Sequence, residues 1–131
     1  MILTLAKLGV FFFALWLIFV AIYMLFWPRR CLRGLRKMGS TPAIHFGEHF
    51  LRGLAGLSLM GIAAQSSYSK VYLGIGVFLL ATSVIIVLAP RGWHHSYAVY
   101  WADRVSPRAL RWMAPVPFAV GWYLQWVVLF L

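Results

Sequence analysis

Val87-Leu88-Ala89-Pro90-Arg91-Gly92-Trp93-His94-His95-Ser96-Tyr97 is the stretch that decides how this chain folds. An uncharged apolar run stops at a proline, and an arginine and a tryptophan follow at once. Proline lacks the amide hydrogen that a continuing helix needs. Arginine and tryptophan are residues that settle where a membrane meets water. The same punctuation occurs at Leu25-Phe26-Trp27-Pro28-Arg29-Arg30-Cys31. Both stretches read as places where a helix leaves hydrocarbon and the chain turns basic.

Outward from these two exits, four apolar segments are expected to cross a membrane. At about 1.5 Å per residue, roughly 20 residues span the hydrocarbon core. Residues 2–27 do so with room for tilt, and Lys7 lies near enough to the start to snorkel to the headgroups. A cleaved signal peptide fits this run badly, because it has no basic leader and no small-x-small site before Pro28. Residues 46–65 form the second segment, with His45, Glu48, His49 and Arg52 crowding its start. Its Gly53, Ala55, Gly56, Ser58, Gly61, Ala63 and Ala64 favour close helix contact over lipid contact. Residues 71–89 carry no charge and end at Pro90. Residues 113–131 hold Pro115 and Pro117 near their start and Gln125 within.

The intervening basic stretches read as short interfacial helices. Residues 29–38 carry Arg29, Arg30, Arg33, Arg36 and Lys37, while Leu32, Leu35 and Met38 recur every third position as a narrow apolar stripe. Gly39-Ser40-Thr41-Pro42 is a turn. In residues 91–111, Trp93, Tyr97, Tyr100 and Trp101 share one helical face, and Ser106-Pro107 breaks the helix. Headgroup contact is expected of Arg29, Arg30, Arg33, Arg36, Lys37, Arg91, Trp93, Trp101, Arg104, Arg108 and Arg111. Helix packing is expected of Gly53, Gly56, Gly61, Gly74 and Gly76.

Composition agrees. The chain is 63% hydrophobic and 11% charged, against about 25% charged in a soluble domain, so there is too little polar surface to cover a globule in water. Twelve Lys and Arg face two acids, Glu48 and Asp103, for a net charge of +10. Nucleic acid is one partner for such a charge. In a membrane protein, anionic headgroups account for it, and no nucleic-acid partner is expected. The single cysteine, Cys31, excludes an internal disulfide and any CxxC site, and its place at the membrane exit is one where palmitoylation occurs.

The fold class expected is therefore an all-α integral membrane protein: four transmembrane helices as two hairpins, with two short cytoplasmic basic and aromatic interfacial helices, in one domain. Charge distribution sets the orientation. If the second segment crosses, ten of the twelve Lys and Arg, all but Lys7 and Lys70, fall on one side. The positive-inside rule makes that side cytoplasmic and puts both termini in the periplasm. If it does not cross, the basic residues of 91–111 fall opposite those of 29–38, against the rule.

The two halves also read alike: apolar helix, Pro-Arg, basic stretch, then Leu-Arg at Leu51-Arg52 and at Leu110-Arg111. Residues 1–65 and 70–131 would be parallel repeats about an axis along the membrane normal. Any pair of hairpins with basic inner loops gives the same pattern. The order Phe26-Trp27-Pro28-Arg29-Arg30, then Leu51-Arg52-Gly53-Leu54-Ala55-Gly56, resembles the YjeT-like family of very small two-helix bacterial inner-membrane proteins. The likeness covers the first 65 residues best. In the second half, Arg111-Trp112-Met113-Ala114-Pro115 stands where a glycine opening is expected. The resemblance implies a bacterial inner-membrane location and no activity.

Few residues carry chemistry. His45-Phe46-Gly47-Glu48-His49 matches the H-x-x-E-H string of inverted zinc proteases, and on a helix His45 and His49 share a face. A third ligand would come from Asp103, His94 or His95. The string is short, Gly47 weakens the helix, and a chain this small hardly builds a substrate cleft, so no enzyme is expected. Glu48 and Arg52 stand in the favourable i to i+4 order for an ion pair. No cofactor is expected, and His45, His49, His94 and His95 are the candidates should a metal bind. Haem would need histidines within the apolar helices. Transport would need polar groups at the bilayer midplane, and Ser58, Thr82, Ser83 and Gln125 are the candidates. The reading that uses most of the chain is a non-enzymatic accessory, scaffold or lipid-interacting subunit, with a membrane-protein partner or a second copy. A small oligomeric transporter and a haem or metal protein are the alternatives.

Overall fold

The computed structural model describes residues 1–131 as seven helices and no strands. These are α1 (Ile2–Phe26), α2 (Pro28–Arg36), α3 (Pro42–Ala63), α4 (Ser69–Leu88), α5 (Arg91–Arg104), α6 (Pro107–Met113) and α7 (Pro115–Phe130). Proline sets most of the boundaries. It occupies the first turn of α2, α3, α6 and α7, where its missing amide hydrogen leaves no helical bond unmade. Thr41 and Ser106 cap α3 and α6 by accepting from the amides of Ile44 at 3.2 Å and Ala109 at 3.1 Å.

Three stretches are long and apolar enough to cross a membrane: Ile2–Phe26, Ser69–Leu88 and Pro107–Phe130. The last joins α6 to α7, because Ala114 keeps helical angles (φ −56°, ψ −36°) between them. The helical path there starts at Pro107, ahead of the expected residue 113. The outer faces of these helices stay apolar and uncovered: Phe12, Trp16 and Phe19 on α1, Phe78 and Ile85 on α4, Val116 and Trp122 on α7. A surface of that extent is unstable in water and suited to lipid. α3 has 22 residues, and its polar first half lowers its hydropathy below theirs.

The closest helix pairings are α3 with α4 and α1 with α7, and α3 also packs on α1. The four long helices thus run α4, α3, α1, α7, with α7 along α1 instead of α4. Tyr72 Oη donates to Tyr123 Oη at 3.1 Å and ties α4 to α7. The main core is built from Val10, Ala14, Leu59, Ile62, Tyr72 and Leu124, and a smaller one from Met24, Leu110 and Ala114. Small residues set the approach distances. A methyl on Gly56 would lie 2.7 Å from the carbonyl oxygen of Gly76, and one on Gly76 would lie 2.6 Å from that of Gly56, so backbone meets backbone where α3 crosses α4. Gly61 abuts Ala6, and Gly53 faces Ser83. Gly74 has open space beside it and packs on nothing. Gly121, against the carbonyl of Ala14, and Gly9, against the Ser58 hydroxyl, are packing positions that the composition of the second and third segments did not point to.

The two basic segments meet. α2 packs on α5, and Arg36 donates to the carboxylate of Asp103. Arg91 donates to the carbonyls of Ser40 at 2.5 Å and Gly39 at 3.5 Å. Both exits therefore lie at one end of the bundle. On α5 the aromatic face points outward, with Trp93, Tyr97, Tyr100 and Trp101 exposed, while Ala98 and Ala102 are buried against the fold.

Candidate metal centre

The inward side of α5 carries His94 over the first turns of α3. His45 and His49 lie one turn apart on α3, on the face that meets it. Their relative exposures are 2% and 4%. His49 meets both other imidazoles edge to face and His45 and His94 are tilted to each other: ring centroids are 5.2 Å apart for His45–His49, 5.3 Å for His45–His94 and 4.8 Å for His49–His94. One ligand nitrogen from each lies within 4.8 Å of the others. His45 Nδ1 and His94 Nδ1 are 3.3 Å apart. Glu48 adds a carboxylate oxygen, Oε2, at 3.9 Å from His94 Nδ1.

These polar atoms are short of partners. Both ring nitrogens of His49, Nε2 of His45 and Oε2 of Glu48 are buried without a hydrogen bond. Leaving a buried polar group unsatisfied costs about 1–3 kcal/mol, so four in one cluster call for an occupant. An N–H···N bond satisfies at most two of the facing nitrogens, and 3.3 Å is long for one. Two ligand atoms on a tetrahedral zinc with metal–nitrogen bonds of 2.0–2.1 Å are roughly 3.3–3.4 Å apart. The His45–His94 separation already equals that edge, and the remaining ligands need small movements to close on the same point.

The surroundings hold the rings in place. Ser83 on α4 donates to the carbonyl oxygen of His49, which locks this turn of α3 to its neighbour. Arg52 donates to Thr82 Oγ1 at 2.9 Å. The Glu48–Arg52 ion pair expected from their spacing is not made, because Arg52 turns to α4 and leaves Glu48 facing His94. Gly39, with φ +71°, closes the turn before α3 directly beneath α5, and a methyl there would lie 2.9 Å from His94 Nδ1. Burial pushes the His94 pKa below the ordinary histidine value, helped by the positive charges of His45, Arg52 and His95 nearby. A neutral imidazole is the form that binds a metal.

Of the four candidate histidines, three converge and one does not. His95 turns away to the carbonyl oxygen of Met38, 2.9 Å from its Nδ1. Asp103 is engaged by Arg36. The H-x-x-E-H string supplies two imidazoles and a carboxylate, and the third imidazole is that of His94, the first of the two histidines beyond Pro90. That distant partner is what sequence reasoning could not select. The geometry also bears on the alternatives. Haem needs space for a macrocycle between two axial ligands, whereas these rings touch. The polar residues weighed as a transport path are already engaged: Ser58 and Thr82 donate back along their own helices, to Leu54 O at 2.8 Å and Phe78 O at 2.7 Å, while Ser83 to His49 O and Gln125 to Phe11 O at 3.0 Å join two helices each.

The arginines expected at the headgroups sort into three groups. Arg36 and Arg91 hold α2, α5 and the Gly39 turn together. Arg104 lies over the Tyr100 ring, 3.4 Å from its centroid. Arg29, Arg30, Arg33, Arg108 and Arg111 line a groove between the start of α2 and the start of α6. Lys37, Trp93 and Trp101 are exposed around the same end. No family model, curated protein or solved structure matches the chain.

Proposed function

We propose that this protein is a small membrane-integral metal-binding protein that holds one first-row transition-metal ion between His45, His49, His94 and Glu48. It acts as a non-enzymatic accessory subunit of a bacterial inner membrane. The observation that carries the reading is the convergence of three imidazoles, those of His45 and His49 buried with unpartnered nitrogens and that of His94 partly buried, with His45 Nδ1 and His94 Nδ1 already at the spacing of ligands on one ion. Three nitrogens and one carboxylate oxygen suit Zn²⁺, with Co²⁺ as its spectroscopic stand-in. A set filled by four protein groups leaves no open position for substrate, which favours holding an ion over catalysis.

The same proposal places α3 in the bilayer as a fourth span. Its extended pairing with α4, at the Gly56–Gly76 crossing, supports this: a helix that lies along a membrane-crossing helix shares its environment. With four spans, the joined basic segments face the cytoplasm and the metal centre lies at the cytoplasmic end of the bundle.

The test is metal content and affinity of the purified protein in a non-ionic detergent. One equivalent of Zn²⁺ per chain is expected, with a tetrahedral Co²⁺ absorption spectrum in its place after exchange. His49→Ala with His94→Ala abolishes both, while His95→Ala leaves them intact. Wild-type protein that takes up neither ion, or a double variant that binds as well as wild type, would overturn the reading.

A further inference from the structure

We infer that the groove between the α1–α2 junction and α6 is a binding site for the headgroup of an anionic phospholipid, preferentially one with two phosphodiesters. Arg29, Arg30 and Arg33 form one wall, Arg108 and Arg111 the other, and the groove encloses about 610 Å³. The chain has only two acids. Asp103 is paired with Arg36, and Glu48 faces His94. Five guanidinium groups therefore share one groove with no carboxylate to balance them, and their mutual repulsion is relieved only by a bound anion. The five are not all loose. Arg111 is held at the wall by donating from Nε to the carbonyl oxygen of Leu25 at 3.1 Å, which leaves its terminal nitrogens free for a ligand.

The chemistry selects phosphate esters. Guanidinium presents paired donors that match two phosphate oxygens, and it is more weakly hydrated than ammonium. The groove holds arginine alone, although the chain also carries lysine at Lys7, Lys37 and Lys70. Its depth selects a lipid over a soluble anion. Phe26 and Trp27 form its rim where the apolar α1 ends, at the level where an acyl chain joins its headgroup. Two walls, one with three cations and one with two, suit two phosphates better than one. Basic pockets between membrane helices on the cytoplasmic side bind headgroups of this kind. This site shares no residue with the metal centre, and its test does not depend on that reading.

The experiment is native mass spectrometry of the full chain, delipidated in non-ionic detergent and titrated with cardiolipin, with phosphatidylglycerol at twice the concentration to match charge, and with inorganic pyrophosphate. One cardiolipin per chain is expected to be retained in preference to phosphatidylglycerol. Arg30→Gln, Arg33→Gln and Arg108→Gln combined weaken retention by at least about tenfold, since each arginine near a lipid surface contributes about 1 kcal/mol before screening. Lys70→Gln, exposed at the start of α4 and outside the groove, leaves retention unchanged. Three outcomes overturn the inference: equal retention of the two lipids, displacement of cardiolipin by pyrophosphate at equal concentration, or a triple variant that retains its lipid while its helical circular dichroism matches wild type. A triple variant that fails to fold is replaced by Arg108→Gln alone, for which a loss of about fivefold is expected on the same basis and no loss overturns the inference.

Discussion

Arg36 on α2 donates to the carboxylate of Asp103 on α5, across 67 positions of sequence. Both side chains are nearly half exposed, so the pair contributes no more than about 1 kcal/mol. Its weight is topological. It joins the segments that follow the first and second proline exits, which requires those exits to lie at the same end. Reporter fusions after Lys37 and after Arg104 are therefore expected to give the same answer, cytoplasmic for both. Opposite answers would mean that α3 does not cross.

The Gly56–Gly76 crossing makes a paired prediction. Gly56→Ala forces a methyl against the Gly76 carbonyl and lowers stability by about 1–3 kcal/mol, the usual cost of overpacking. Gly74→Ala meets nothing and raises stability by about 0.5–1 kcal/mol, because alanine is the better helix former. Thermal unfolding of the two variants in one detergent measures both signs. A Gly56→Ala protein as stable as wild type would show that the helices do not cross there.

Gly39 links backbone conformation to the metal centre. Its φ of +71° costs an L-residue roughly 1–2 kcal/mol, and a methyl at that position crowds His94 Nδ1. Gly39→Ala is expected to weaken Co²⁺ affinity by about tenfold, the equivalent of 1.4 kcal/mol. Gly34→Ala, in open space on α2, leaves affinity unchanged. Equal affinities for wild type and both variants would separate the turn from the site.

Cys31 reports on the smaller core, where it packs beside Met24, Leu110 and Ala114. Burial pushes its thiol above the ordinary value of 9.0, and only the thiolate reacts. Because the folded pKa is the higher one, this group's contribution to stability is present below the unfolded pKa and is lost as pH rises through the folded value. Iodoacetamide labelling of the folded protein is expected to be slow at about pH 8 and still rising beyond pH 9, while denatured protein levels off near its unperturbed pKa. A folded-state plateau below that of the denatured chain would contradict the burial of Cys31.

Proline, arginine and tryptophan at the two exits made the helix ends legible, because those residues act locally. The uncharged apolar run of residues 71–89 and the aromatic face of α5 were equally plain. The pairing order was not. Nothing in α7 announces that it lies on α1, since apolar residues fit either neighbour and the decisive position is a single glycine, Gly121, which has no room for a methyl against the Ala14 carbonyl. Glu48 and Arg52 illustrate the same limit within the candidate site. Their spacing is that of an ion pair, yet Thr82 on a different helix attracts the arginine. The histidines of α3 were visible as a pair, and only the fold selects His94 over His95 as the third.

His45 and His94 stand 49 positions apart, with the whole of α4 and two turns between them. A nascent chain that has completed α3 therefore owns three of the four proposed ligands, His45, Glu48 and His49, and no complete site. The centre comes into being only when α5 folds back over the start of α3, late in synthesis. Under the proposed function, an ion captured there would latch the finished bundle and distinguish a fully assembled chain from one halted halfway.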